Sequence, residues 1–263
     1  MPPLAPDAAA SWVDRWERQQ QAYLPAREAR FTALIDAVEA GAGRPDPVVL
    51  DLGCGPGSLA ARLLDRLPSA TVVAADADPL LLALGQAVHG GRNGLTFVDL
   101  DLRQPGWSAA LGLDAPADAA VSTTALHWLP PAALRAMYAE LATVLRPGGL
   151  LLNGDHFTVG EPGLASLDRA LTEREERRAA EAAAVDPARA GEAWTQWWEA
   201  AEADPDLARL AEERNRREWS ADHHGTESMT FAAHAAALHE AGFAEVGTLW
   251  QHGDNRLLCA IRG

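Results

Sequence analysis

A glycine-rich loop between a strand pattern and a helix pattern constrains the fold of this chain more than any other feature. The segment reads VVLDLGCGPGSLAARLLDRL over residues 48–67. Its first residues form the β-branched and leucine run of a buried strand, and the leucines after the glycines recur at helical spacing. Glycines let the backbone turn sharply and lie close to a ligand. The segment therefore predicts a ligand site at the carboxyl end of a sheet.

Strand and helix patterns alternate through the rest of the N-terminal half. Further strands are predicted at 71–78, 95–102, 117–124 and 150–157, with helices between them. Strict alternation of this kind predicts an α/β fold with a parallel sheet and right-handed crossovers. After a helix that ends at Gly242, the chain closes with two short strand patterns that predict a hairpin.

Two helical segments flank or interrupt this alternation. Residues 1–44 predict a helical cap, which Pro25 divides into two helices. Residues 161–230 are charged, mostly helical in pattern and rich in tryptophan, and they predict a lid over the substrate. The remaining segments, 45–160 and 231–263, then form the ligand-binding domain.

Acidic residues around the loop indicate the ligand. Asp51 precedes glycines spaced G-x-G-x-G, whereas a dinucleotide fingerprint reads G-x-G-x-x-G, so an NAD-dependent oxidoreductase is disfavoured. A carboxylate here favours a ligand with sulfonium and ammonium groups over one with phosphates, and S-adenosylmethionine (SAM) fits that description. Asp76 ends the second strand and is expected to bind the ribose hydroxyls. Asp99, after the third strand, is expected to accept the adenine amino group.

Together these motifs resemble those of class I SAM-dependent methyltransferases. The matching sequences are VLDLGCGPG, VVAADAD, FVDLDL, DAAVSTTALHWLP and LRPGGLLLNGD, in the family's order over residues 45–157. The C-terminal AGF, VGTLWQ and RLLCAIR sequences resemble the family's closing strands. The resemblance implies a Rossmann-like, seven-stranded, mostly parallel sheet with an antiparallel last strand. The ALHWL sequence and an N-terminal arginine are similar to small-molecule branches such as the trans-aconitate methyltransferases.

The same resemblance implies a set of cofactor-binding residues. Leu100 would frame the adenine, and the backbone around Ser122 and Thr123 would meet the SAM ammonium group. Arg30 would bind the methionine carboxylate. With the loop and the strand ends, the predicted cofactor site comprises Arg30, Asp51, Gly53, Cys54, Gly55, Gly57, Asp76, Ala77, Asp99, Leu100, Ser122 and Thr123.

The predicted catalytic residues are histidines, two near strand ends and two near the end of the 161–230 segment. Methyl transfer mainly needs alignment of the reacting atoms, and a general base helps only where the nucleophile carries a proton. His127 follows the fourth strand where the methyl group would emerge, and Asp155 and His156 follow the fifth. His223 and His224 are adjacent, so at most one is expected to face the pocket. The alternative for His127 is a structural histidine at the start of a helix. The alternative for His223 and His224 is a position in a surface loop.

Aromatic side chains are predicted to line the substrate pocket, because ligand pockets are mostly apolar with a few polar groups. Trp194 and Trp198 can either do so or simply pack the lid. The predicted substrate-binding residues are Tyr23, Trp128, Trp194 and Trp198.

Composition excludes several classes of partner. The net charge of −15 would repel nucleic acids and anionic membranes. Cys54 and Cys259 lie far apart, which predicts neither a metal site nor a disulfide framework. No signal sequence or apolar span is evident, so the cytoplasm is the expected compartment.

The predicted function is methyl transfer from SAM to an O, N or C nucleophile of a small metabolite, with S-adenosylhomocysteine (SAH) as product. Coding bias and the small-molecule resemblance favour natural-product biosynthesis, and the apolar lid is compatible with a homodimer. Two alternatives share the fold: methylation of a protein, and use of SAM without methyl transfer.

Overall fold

The computed structural model describes most of the chain, namely residues 4–24, 26–157, 164–185, 192–217 and 229–263. His223 and His224, two of the predicted catalytic residues, lie outside these ranges, as does Pro25. No helix within the described ranges combines the length and the apolar character needed to cross a bilayer.

Seven strands form one sheet among the described residues. They are β1 Val48–Leu52, β2 Thr71–Asp76, β3 Leu95–Asp99, β4 Ala117–Thr123, β5 Leu145–His156, β6 Phe243–His252 and β7 Asn255–Arg262. Their order across the sheet is β3-β2-β1-β4-β5-β7-β6. Neighbours from β3 to β5 pair in parallel, whereas β7 is antiparallel to both β5 and β6. The predicted seven-stranded, mostly parallel sheet with an antiparallel last strand is confirmed.

The described helices are α1 Pro6–Tyr23, α2 Arg27–Ala42, α3 Ser58–Arg66, α4 Pro79–His89, α5 Pro131–Val144, α6 Ala165–Val185, α7 Trp194–Ala203, α8 Ala208–Arg216 and α9 Phe231–Glu240. Helices α2, α4, α5 and α9 contact the sheet, and α7 and α8 pack on other helices. Helix α4 shows why its sequence starts a helix: Pro79 suits the first turn, and the Asp78 carboxylate accepts hydrogen bonds from the amides of Leu80 and Leu81 at 2.9 and 3.2 Å.

Both faces of the sheet are covered, which explains the continuous apolar runs of its central strands. On one face, Val49 of β1 packs in a buried cluster with Leu34 of α2 and Leu63 of α3. On the other face, Leu50 packs in a second cluster that includes Tyr138 of α5. The core therefore lies on both sides of β1 and β4 and holds their carboxyl ends rigidly.

The two largest differences from the predicted strand boundaries are the start of β5 and the end of β3. Helix α5 ends at Val144, and β5 begins at Leu145 rather than after the Pro-Gly-Gly turn, because Leu145 already pairs with Ala117. The register then shifts before Ala119, and this irregularity accommodates a proline within the strand. Strand β3 is shorter than predicted and ends at Asp99.

Tryptophans attach the helical segment α7–α8 to the N-terminal helix. Trp197 is fully buried, and its ring lies 5.0 Å from Trp16, 5.5 Å from Trp12 and 4.9 Å from Trp198, each in an edge-on arrangement. The Trp12 indole also donates a hydrogen bond to Asp204 at 3.0 Å. Aromatic pairs in this geometry contribute beyond their buried area, so this cluster fixes α7 on α1.

We expect Trp197→Ala to destabilise the packing of α7 on α1 by about 3–5 kcal/mol, the usual loss for a buried tryptophan. Amide hydrogen exchange in α1 and α7 measures this directly, because it reports local opening. The matched variant Trp194→Ala, whose side chain is partly exposed, should lose much less protection. Equal losses in both variants would contradict the central role of Trp197.

Candidate functional site

The glycine-rich loop turns back tightly over the end of β1. Gly53, Gly55 and Gly57 have φ values of +73°, +54° and +82°, in the region that favours glycine. A Cβ atom on Gly53 would lie 2.3 Å from the Cβ of Ala125. The Gly53 amide donates to the carbonyl of Ala75 in β2 at 2.8 Å, which ties the loop to the neighbouring strand. The missing Cβ of Gly53 therefore lets Ala125 pack directly against the loop backbone.

Asp76 clamps the loop from the end of β2. Its Oδ2 accepts a hydrogen bond from the Gly55 amide at 2.7 Å, and its Oδ1 accepts one from the Asp78 amide at 2.8 Å. Burial and then the charge of Asp78 raise the pKa of Asp76 to about 6. Each carboxylate oxygen has two lone pairs, so Asp76 retains the capacity to accept hydrogen bonds from a ligand diol.

Asp51 is a buried acid whose partners are missing. Its side chain is 0% exposed, and neither oxygen has a hydrogen-bond partner within the described part of the chain. Burial, followed by the charge of Asp76, raises the pKa of Asp51 to about 7, and the Ala60 backbone opposes this only weakly. A cationic ligand group would stabilise the carboxylate, since a buried charge is costly unless it is paired.

Arg30 is the matching buried cation. It is 0% exposed, and its Nη1 and Nη2 donate to Asn255 Oδ1 at 2.9 Å and Thr123 Oγ1 at 2.5 Å. Its Nε has no partner, and no carboxylate of the described residues forms a salt bridge with it. Burial lowers the pKa of Arg30 to about 10, although the charge of Asp155 partly opposes this. Arg30 is thus placed to bind an anionic ligand group.

Asp99 is engaged by an arginine that follows α8. The two Nη atoms of Arg217 donate to the Asp99 carboxylate at 2.6 Å each, and Nη1 also donates to the carbonyl of Ala77 at 2.6 Å. The adenine role of Asp99 stays a prediction. Asp101, which the sequence analysis did not include in the cofactor site, is a second acid just beyond β3. Its carboxylate accepts a hydrogen bond from Arg103 at 2.8 Å.

Other residues of the predicted cofactor site shape its backbone. The Leu100 amide donates to the carbonyl of Asp76 at 2.8 Å. The Ser122 hydroxyl donates to the carbonyl of Leu52 at 2.7 Å and is fully buried. Cys54 is also buried. These two hydrogen bonds join the end of β4 to β1 and the end of β3 to β2.

The structure brings His127 and Asp155 together. His127 Nδ1 lies 3.0 and 3.1 Å from the two carboxylate oxygens of Asp155. Burial favours the neutral acid, but the hydrogen bond and charge of His127, with the charge of Arg30, hold the pKa of Asp155 below its usual value. His156 points elsewhere and pairs with Asp254 at 3.0 Å on the exposed rim. The catalytic role of His156 therefore stays a prediction, and no contact with Asp155 through its ring supports it.

The predicted substrate-binding aromatics divide into two groups. Tyr23 and Trp128 are exposed. Trp194 and Trp198 instead pack against Trp16, with ring centroids 5.4 and 6.2 Å apart. These contacts agree with the alternative that Trp194 and Trp198 pack the helical segment. The substrate-binding roles of all four aromatic residues stay predictions. Across the described residues, no group of three or more His, Cys, Asp or Glu side chains is arranged to hold a metal ion.

Comparison with known proteins finds similarity over part of this chain. Residues 49–149 match a family model described as a methyltransferase domain. The trans-aconitate 2-methyltransferase of Azoarcus sp. is 33% identical over 136 residues, which cover 52% of this chain and 49% of that protein. This chain therefore spans about half the length of the curated relative that it matches.

Solved structures agree on the fold. An O-methyltransferase family protein from Burkholderia thailandensis has a TM-score of 0.55 at 19% identity, covering 95% of this chain and 68% of that one. The magnesium protoporphyrin IX methyltransferase of Synechocystis, solved with bound SAH, has a TM-score of 0.54 at 20% identity, covering 95% and 94%. At these identities the likeness establishes the fold alone, and it confirms the predicted Rossmann-like class.

Proposed function

We propose that this chain, which carries a class I SAM-dependent methyltransferase domain, transfers a methyl group from SAM to a nucleophile of a small metabolite and releases SAH. SAM is the cofactor of this domain class, and when bound it supplies a methyl group activated by the positive charge on sulfur. The acceptor atom is an oxygen, nitrogen or carbon.

The observation that carries the proposal is the presence of two buried, opposite charges with unmet partners. Asp51 has no hydrogen-bond partner for either oxygen, and Arg30 has only neutral partners and an unpaired Nε among the described residues. The amino-acid part of SAM carries a cation and a carboxylate, so it supplies the complement to each. Asp51 and Arg30 would hold these groups and exclude water from them.

The adenosine part of SAM fits the remaining features of the loop. Asp76 would accept the ribose hydroxyls with lone pairs that the loop amides leave unused. The positive-φ glycines expose the loop backbone to a close neighbour. Asp99 ends β3 and Asp101 lies two residues beyond it, and either carboxylate could accept the adenine amino group besides its arginine partner.

A small acceptor is favoured over a macromolecular one. The net charge of −15 opposes binding of nucleic acid, and the relative named above methylates a small carboxylate according to its name. We extend the small-molecule class, but not that substrate, to this chain. We also propose a cytoplasmic location, a role in natural-product biosynthesis and a homodimer, all of which the sequence suggested.

The test is to incubate the purified protein with SAM and, in separate reactions, with pooled small metabolites, trans-aconitate included, or with candidate protein acceptors. SAH and methylated products are measured by mass spectrometry. We expect SAH formation with a product that carries one added methyl group. SAH formation only with protein acceptors would instead indicate protein methylation. Tight SAM binding without SAH formation from any pool would indicate a use of SAM other than methyl transfer.

A further inference from the structure

We propose that Arg217, the residue that follows α8, forms a latch over the adenine end of the SAM site, and that this latch must open before the cofactor enters or leaves. The latch consists of the contacts of Arg217 with Asp99 and with the carbonyl of Ala77. The inference rests on the proposed SAM binding and goes beyond it, because it assigns control of cofactor exchange to the segment α7–α8, which the sequence predicts as part of a substrate lid.

One guanidinium bridges the ends of two strands. Both Nη atoms of Arg217 donate to the carboxylate of Asp99, which ends β3, and Nη1 also donates to the carbonyl of Ala77, just after β2; all three distances are 2.6 Å. Ala77 and Asp99 belong to the predicted cofactor site, and Asp76, the predicted ribose ligand, directly precedes Ala77. Strands β2 and β3 lie on one side of β1, whereas β4 and β5 lie on the other. Arg217 therefore lies at the adenine end of the proposed site.

A second arginine anchors α8 beside this latch. Arg214 Nε donates to Asp78 Oδ2 at 2.6 Å, and the Arg214 guanidinium lies 3.8 Å from the ring centroid of Trp198. Asp78 in turn caps the start of α4. Leu210 and Ala211 of α8 are buried in the same apolar cluster as Trp198. These contacts hold α8 in place when the Arg217 contacts open.

The latch is more exposed than the anchor. The side chains of Arg217 and Asp99 are 27% and 55% exposed, whereas those of Arg214 and Asp78 are 23% and 6% exposed. Exposed ion pairs contribute little free energy and are screened by salt, whereas a buried carboxylate that loses its partner is costly. The forked contact with Asp99 and the bond to the Ala77 carbonyl still favour the closed state. The latch therefore opens reversibly while the anchor stays paired.

A latch of this kind has its own kinetic signature. If Arg217 only contacted bound adenine, its loss would speed dissociation of the cofactor and leave association unchanged. If Arg217 instead occupied the adenine position, its loss would speed association and tighten binding. A latch that closes over both the empty and the occupied site slows both steps, because opening precedes each of them. Its loss raises both rate constants and changes Kd little.

The first arm of the test measures SAH binding by stopped-flow tryptophan fluorescence. In Arg217→Ala we expect the association and dissociation rate constants each to rise about 10-fold, with Kd within about threefold of the wild type, since a forked, charge-assisted contact contributes roughly the free energy of a tenfold change. Arg217→Lys keeps the charge but loses the fork, so its rates should lie between the two. Arg216→Ala, which removes an exposed side chain that donates to the Glu212 carbonyl within α8, should match the wild type.

Salt gives an independent reading of the same latch. Raising the salt concentration from about 50 to 500 mM should speed SAH dissociation more in the wild type than in Arg217→Ala, because salt screens an exposed ion pair that the variant lacks. A change in only one of the two rate constants, a tighter Kd in Arg217→Ala, or rates equal to those of the wild type would each overturn the proposal.

The second arm needs no cofactor. In the ligand-free protein, Arg217→Ala should speed amide hydrogen exchange in the last turn of α8, whereas the amides of Leu210 and Ala211 stay protected by the anchor. An unchanged last turn, or faster exchange along the whole helix, would contradict a local latch. Failure of the wild-type protein to bind SAH would refute the proposed function and the role of Arg217 in cofactor exchange. A local exchange difference in that case would identify the Arg217 contacts as purely structural.

Discussion

Replacing Asp76 by alanine should weaken SAM binding by about 100-fold or more while the sheet stays folded. Asp76 is expected to accept the ribose hydroxyls, and hydrogen bonds to a charged group contribute about 1.5–3 kcal/mol each. The variant also removes the acceptor of the Gly55 and Asp78 amides, which loosens the loop. The buried residues of β2 that pack in the core, Val72–Ala75, are untouched. Isothermal titration gives the affinity, and far-ultraviolet circular dichroism reports the fold.

A ligand-side comparison separates the ribose contact from the effect on the loop. Wild-type protein should bind SAH more tightly than its 2′-deoxy analogue, and Asp76→Ala should lose that preference. Asp65→Ala, which removes an exposed acid paired with Arg92, should bind SAM like the wild type. Unchanged SAM affinity in Asp76→Ala would refute the proposed cofactor geometry.

Asp51→Asn should have opposite effects on stability and on binding. The folded protein holds the Asp51 proton up to about pH 7, whereas the unfolded chain loses it near pH 3.8. The wild-type free energy of unfolding therefore falls as pH rises through that window, by up to about 1.4 kcal/mol per pH unit from this group. Asparagine removes this slope, so the variant should gain stability relative to the wild type between pH 4 and 7. Denaturant unfolding at several pH values measures it.

SAM affinity should fall in the same variant by roughly 10–100-fold at pH 8, because asparagine cannot pair with a cationic ligand group. The wild-type affinity itself should weaken as pH falls below about 7, since protonation of Asp51 removes the charge. Asp36→Asn, a change at an exposed acid, is the matched control and should alter neither quantity. Equal SAM affinity in Asp51→Asn and wild type would exclude Asp51 from the cofactor site.

Much of the fold follows from local patterns in the sequence. The strand–loop–helix unit around Gly53, the alternation of strands and helices, and the closing hairpin are periodic or turn signals, which depend on neighbouring residues alone. The positions of the loop glycines after β1 and of Asp76 at the end of β2 were therefore predictable, and their ligand role stays a prediction. The start of β5 was not, because the pairing of Leu145 with Ala117 overrides the turn signal of the Pro-Gly-Gly sequence.

The rest of the site depends on contacts between distant parts of the chain. Arg30 bonds to Asn255, 225 residues away, and Arg217 binds Asp99 across 118 residues. Neither pairing has a local sequence signal. The packing of the α7 tryptophans on α1 also lacks a local signal, since the helical spacing of Trp194 and Trp198 fits a pocket wall and a packed core equally well. Likewise, His127 and Asp155 were each predicted near the end of a strand. Their hydrogen bond could not be predicted, because it depends on the pairing of β4 with β5.

The central claim, that the loop and the two buried charges form a SAM site, is tested most directly by isothermal titration of the purified protein with SAM, SAH, NAD and NADP in parallel. We predict micromolar binding of SAM and SAH and no binding of the two dinucleotides, because the site offers carboxylates where a dinucleotide needs donors for phosphate. Binding of NAD or NADP, or failure to bind either adenosyl ligand, would contradict the account.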